Sequence, residues 1–97
     1  MDTLAAALEQ GAPLVDVREP VEYAEAHVPG ATLIPMSQLA ERVSEIDTDQ
    51  RVYLICRSGH RSGVVCDALT ARGYDVVNVV GGTLAWVRSG LPYDQGL

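Results

Sequence analysis

The chain has 97 residues, of which 13 are acidic and 7 basic, a formal net charge of -6 and a hydrophobic fraction of 47%. That length suits a single domain spanning residues 1–97, and the apolar content excludes global disorder. The acidity excludes a broad basic face for nucleic acid or an anionic membrane, and the absence of Lys excludes Schiff-base and P-loop chemistry, though a local cationic pocket stays open.

Asp2 or Thr3 is expected to cap a first helix, with Leu4, Ala5 and Leu8 on one face and Gly11 past its end. Leu14 to Val17 reads as a short strand. Glu19-Pro20 opens a second helix, since proline suits the first helical position. Pro29-Gly30 marks a turn, and Thr32 to Ile34 a brief strand stopped by Pro35. Ser37 is expected to cap a third helix carrying Leu39, Ala40 and Val43. Arg51 to Ile55 is the clearest strand. Ser62 to Ala71 reads as a helix with Val65, Cys66 and Leu69 on one face, ended by Gly73. Val76 to Val80 is another buried-type strand, and Gly81-Gly82 turns into a helix holding Leu84, Trp86 and Val87. Short apolar strands alternating with helices predict an α/β fold in three layers, with a mainly parallel sheet covered on both faces. Ligands of such folds bind beyond the carboxyl ends of the strands, which directs attention to the segment after Ile55.

The two cysteines, Cys56 and Cys66, are too few for a disulfide framework or a four-thiolate zinc site. No apolar stretch reaches the ~20 residues of a membrane span. Met1-Asp2-Thr3 lacks the basic start of a signal peptide, so a cytoplasmic setting is expected.

Ile55 is followed by Cys56-Arg57-Ser58-Gly59-His60-Arg61-Ser62. A cysteine at a strand end meets the start of a helix, where unpaired N–H groups and the positive dipole end favour an anion. Arg57, His60 and Arg61 add positive charge, and both effects lower a thiol's pKa. Gly59 lets successive N–H groups point inward as a nest. The expectation is an ionised, solvent-reachable sulfur beside an oxyanion site, and a thiolate is the nucleophile suited to attacking another sulfur. Ser58 offers a hydroxyl to that site, and Ser62 reads as the helix cap. Arg57 binds substrate anion or projects outward. His60 tunes donor binding or is a passive loop residue. Asp16 and Arg18 read as holding the neighbouring loop, through an ion pair or backbone hydrogen bonds, rather than as direct catalysts. His27 and Trp86 read as structural, and Cys66 as a packing thiol rather than a resolving partner.

The chain resembles the rhodanese-like single-domain sulfurtransferases. Asp16-Val17-Arg18-Glu19-Pro20, Glu22-Tyr23 and His27-Val28-Pro29-Gly30-Ala31 are similar to the family's first signature. The Cys56 to Ser62 segment is similar to its active-site loop. Gly73-Tyr74, Gly81-Gly82, Ala85-Trp86 and Gly90-Leu91-Pro92 are similar to its C-terminal signature. The resemblance implies a four- to five-stranded sheet, with the first strand in question, and a reaction without metal or organic cofactor. Cys56 would take the sulfane sulfur of thiosulfate or a persulfide donor and pass it to cyanide or a thiol, with a persulfidated protein as a possible partner. Arg61 would orient the loop or contact the donor's oxyanion. Ala26 departs from the family, which has Gly before the His. Related phosphatases place five residues between cysteine and arginine; here four separate Cys56 from Arg61, a ring suited to a persulfide rather than a phosphate. A partner-binding or sulfur-carrier module without turnover is the alternative.

Overall fold

The apolar runs pair as one all-parallel, four-stranded sheet in the computed structural model, which describes residues 1–97. The strands are β1 (Leu14–Asp16), β2 (Thr32–Leu33), β3 (Val52–Ile55) and β4 (Val76–Asn78), in the order β2-β1-β3-β4. Val15 lies opposite Thr32 on one side and Leu54 on the other, and Leu54 lies opposite Asn78. Within residues 1–97, helix α1 (Asp2–Glu9) comes before the sheet and β1 is the first strand. β4 stops at Asn78 rather than Val80, which is 81% exposed beyond the sheet.

Strand side chains alternate between two faces, and each face has its own core. Val15, Val17, Val52, Leu54 and Cys56 pack on α4 (His60–Thr70) through Val65, Cys66 and Leu69, with Leu39 of α3 (Leu39–Arg42) against them. Leu14, Ile55 and Val79 pack on the opposite face against Leu4 of α1 and Trp86 of α5 (Gly82–Arg88). Trp86 is buried, as its helical spacing predicts, and its Nε1–H donates to the Pro92 carbonyl at 2.8 Å. That bond satisfies the indole and ties down the C-terminal segment.

Local chemistry explains which helix ends were legible. α2 (Pro20–Glu25) begins where Glu19-Pro20 predicts, with Pro20 at its first position and reciprocal capping between Glu19 and Glu22. The caps expected for the first and third helices do not form. Met1 precedes α1 with no side-chain cap, so neither Asp2 nor Thr3 serves. Ser37 lies inside a 3-10 turn (Met36–Gln38), and its hydroxyl donates to Glu19 Oε1 at 2.8 Å. The third helix shrinks to α3 plus a second 3-10 turn (Val43–Glu45), with Ser37 inside the preceding turn rather than at a helix start. Ala26 has φ -170°, an extended backbone that any residue adopts, so the family's glycine is not required.

The topology selects one place for chemistry. After β1 the chain steps to β2 on one side, then crosses to β3 on the other. The carboxyl ends of β1 and β3 therefore flank the point where strand order reverses, the site at which open α/β sheets bind ligands. Arg18 lies just beyond one end and Cys56 beyond the other.

Candidate active site

Cys56 directly follows β3, and its side chain continues that strand's alternation toward α4. The backbone then turns at Gly59, which takes φ 100°, and α4 starts at His60. A side chain at Gly59 would also meet the backbone, 3.2 Å from Gly81 N and 3.3 Å from Val79 O. This tight glycine turn starts the helix earlier than the Ser62 start expected from sequence. Ser62 is therefore not the cap; Gly59 is, and the fully buried Ser62 is free to face the sulfur.

Two groups approach Cys56 Sγ closely. The Gly59 N–H donates to it at 3.1 Å, and Ser62 Oγ lies 3.3 Å away. Burial pushes the thiol's pKa up, but the Ser62 hydroxyl and the N–H groups of Ser62, Gly59 and Ser58 outweigh it and hold it below the ordinary cysteine value. Of the expected N–H nest, the Gly59 N–H makes the hydrogen bond to the sulfur. Accessibility differs from expectation: Cys56 exposes only 1% of its surface, although Arg57, Ser58 and His60 beside it are exposed.

Neighbouring elements hold the loop by its carbonyls. Thr83 donates to the Cys56 carbonyl through both N–H (2.9 Å) and Oγ1 (3.0 Å), and the Leu84 N–H donates to the Arg57 carbonyl at 3.1 Å. Gly82 permits this approach, since a Cβ there would lie 2.5 Å from Arg57 O. From β4, Asn78 Nδ2 donates to the Gly59 carbonyl at 3.0 Å, and Ser62 Oγ donates to Asn78 Oδ1 at 2.6 Å. The sequence reading missed Thr83 and Asn78. A signal for Asn78 was present: a polar residue inside an apolar strand run needs a partner.

The cations divide into anchors and one free group. Arg18 is buried, chelates the Asp16 carboxylate, and donates to the carbonyls of Glu22 and Ala26. This is the loop-holding ion pair the sequence suggested. Arg61 makes a two-pronged bond to Glu22 at 2.7 and 2.6 Å, which ties α4 to α2. The Arg61 bond overcomes partial burial and holds the Glu22 carboxyl down at about 2. Arg57 takes no part in an ion pair and borders a cleft with Arg18, Glu25, Thr83 and Leu84. His60, the first residue of α4, is exposed. Ser58 contributes its N–H toward the sulfur.

The remaining candidates are structural. His27 is buried, stacks on Tyr23 at 3.7 Å and donates from Nδ1 to the Tyr23 carbonyl. Cys66 is a free buried thiol, pushed up to about 11 by burial and then by the charge of Asp67. No three His, Cys, Asp or Glu side chains converge as metal ligands would.

The arrangement can stabilise an anionic sulfur, with the exposed Arg57 and His60 beside it. Comparison with known proteins points the same way. The family model described as "Rhodanese-like domain" matches residues 1–89. A protein of Allochromatium vinosum named "Sulfurtransferase" is 46% identical over 80 residues, covering 81% of this chain and 75% of that one. A putative sulfurtransferase of Bacillus subtilis, YtwF, is 45% identical over 73 residues, covering 75% and 71%. Among solved structures, a rhodanese-related protein from Thermoplasma volcanium superposes with a TM-score of 0.87 at 30% identity, covering 94% of this chain and 90% of that one. A thiosulfate sulfurtransferase from Pseudomonas aeruginosa superposes with a TM-score of 0.86 at 27% identity, covering 99% of this chain but only 19% of that one.

Proposed function

Since the chain belongs to the rhodanese-like domain family, we propose that it is a sulfurtransferase working through a persulfide on Cys56. The observation that carries this reading is the Cys56 sulfur under the Gly59 N–H and beside Ser62, with its pKa held below the ordinary value despite burial. In the first half-reaction the thiolate attacks the outer sulfur of thiosulfate or a persulfide donor. A new S–S bond forms to Cys56 as the donor's S–S bond breaks. Sulfite, or the donor thiolate, leaves with the electron pair. In the second, cyanide or an acceptor thiolate attacks the outer sulfur, and Cys56 recovers its electron pair as the leaving group. The enzyme alternates between two covalent states.

The loop residues have distinct roles in this reading. The N–H groups of Ser58 and Gly59 neutralise charge on the transferred sulfur. Arg57, the unpaired cation, and His60 receive the anionic end of the donor. Arg61 acts from its Glu22 anchor, as a fixed positive field rather than a mobile clamp. Ser62 supplies a hydroxyl at the sulfur. Two free cysteines suit a reducing compartment such as the cytoplasm.

Because Cys56 exposes 1% of its surface, groups packed around it must move for a donor to reach the sulfur. The same burial favours a second reading, a partner-binding module without turnover. Mass spectrometry after thiosulfate treatment separates the two. The account expects one added sulfur atom on Cys56, removed by cyanide. No adduct with thiosulfate or any persulfide donor overturns it and leaves the binding module. Cys56-dependent hydrolysis of an aryl phosphate would instead indicate ester chemistry.

A further inference from the structure

Asn78 stands in the apolar run Val76-Val77-Asn78-Val79-Val80, and its pairing opposite Leu54 places it on the α4 side of the sheet. Its amide has a single workable orientation. The Gly59 carbonyl can only accept, so Nδ2 faces it at 3.0 Å, and Oδ1 must then face Ser62 Oγ at 2.6 Å. Gly63 leaves room for this contact, since a Cβ there would lie 3.2 Å from Asn78 Nδ2.

Ser62 has one hydroxyl proton and two candidate acceptors. Asn78 Oδ1 is 2.6 Å away and Cys56 Sγ is 3.3 Å away. The short bond holds the proton, which turns an oxygen lone pair toward the sulfur. A protonated thiol fits that lone pair as a donor. A thiolate does not, and forces the hydroxyl to rotate from Asn78 to the sulfur.

We propose that Asn78 is a positioning residue that holds the Ser62 hydroxyl proton away from Cys56 in the thiol state and releases it when the sulfur ionises. Its functional meaning rests on the sulfur-transfer reading, because that chemistry needs the thiolate. In the step, one proton leaves Cys56 for solvent, the Ser62 O–H swings from Oδ1 to S⁻, and no electron changes owner. Arg61, on α4 and paired with Glu22 of α2, has a field that reaches the sulfur; the loop and the start of α4 add the exposed Arg57 and His60, and α4 further along carries the buried Cys66 thiol. β4 presents Asn78 and α5 presents Thr83, both uncharged, and at the end of β1 Asp16 and Arg18 neutralise each other.

The test is a thiolate titration by ultraviolet absorbance in a Cys66→Val background, so that Cys56 is the one thiol present, with the tyrosine signal subtracted by a Cys56→Ala, Cys66→Val control. Asn78→Ala removes the competing acceptor, and the midpoint should fall, giving about fivefold more thiolate at a pH below it, the effect of one neutral hydrogen bond. That gain should vanish when Ser62→Ala is added. Asn78→Asp keeps the acceptor and adds negative charge, so the midpoint should rise by about one unit. A purely structural Asn78 gives other results: the alanine variant loosens Gly59 and raises the midpoint, or shifts it equally with and without Ser62. Either result overturns the proposal. If Asn78→Ala does not fold, Asn78→Leu, closer in volume, takes its place in the cycle. Persulfide formation from thiosulfate is measured on the same proteins. Its absence throughout, with the titration pattern intact, would remove the sulfur-transfer reading while leaving Asn78 assigned.

Discussion

Cys56 and Cys66 lie in the same core cluster, facing the same side of the sheet, with 1% and 7% of their surfaces exposed. Burial is the largest influence on both thiols, and it pushes both upward. Yet Cys56 ends below the ordinary cysteine value and Cys66 rises to about 11. The difference is hydrogen-bond supply. Cys56 sits just before α4, where the first N–H groups have no carbonyl to bond and turn to the sulfur instead. Cys66 lies inside α4, where N–H groups are spent on the helix itself. Position relative to a helix start, not depth, decides which sulfur is chemically useful.

The largest expected effect tests that contrast directly. Cys56→Ala should abolish sulfur transfer with the fold retained, while Cys66→Val should leave kcat/KM within about twofold, as a near-isosteric core change does. A steady-state assay over several donors reads both. If the Cys66 variant lost activity as completely, the distinction between the two thiols would fail.

Next in size is the backbone that carries the loop. Gly82→Ala places a Cβ 2.5 Å from the Arg57 carbonyl oxygen, at a backbone with φ 59°. It should cost about 1–3 kcal/mol in denaturant unfolding and slow persulfide formation, because strain at such sites falls in that range. An unchanged midpoint would show that α5 does not fix the loop.

A smaller effect concerns the Arg61 anchor. Glu22 is held at about 2 in the folded chain against 4.5 ordinarily, so its contribution to stability is complete above pH 4.5 and is lost as pH falls toward 2. Both side chains are about a third exposed, which reduces the contribution to about 1 kcal/mol. Glu22→Gln should flatten the acid limb of the stability profile by that amount. The alkaline limb probes the other cysteine. A raised Cys66 pKa contributes stability below pH 9.0 that is lost as pH rises toward 11, and Cys66→Val should remove that slope.

What the sequence revealed was local. A strand, a short polar loop with Gly59 and a subsequent helix were legible because their signals sit within a few residues. The Glu19-Pro20 helix start, the Asp16–Arg18 pair and the buried Trp86 were legible for the same reason. The contacts that tune the site were not. Glu22, Asn78 and Thr83 reach the loop only through the register of β4 and the packing of α2 and α5, which no periodicity encodes. Ser62 was misread as a cap because Gly59, at φ 100°, starts the helix earlier and turns the hydroxyl inward. Near-complete burial of Cys56 was equally hidden, since a cysteine among charged neighbours in sequence looks exposed.

The most direct measurement is the ionisation of Cys56 in the Cys66→Val protein, followed by thiolate absorbance and, in parallel, by the pH dependence of alkylation at that residue. The account predicts one titration with a midpoint below 9.0 and modification confined to Cys56. A midpoint at or above 9.0, or a sulfur that no alkylating reagent reaches in the folded protein, would contradict it.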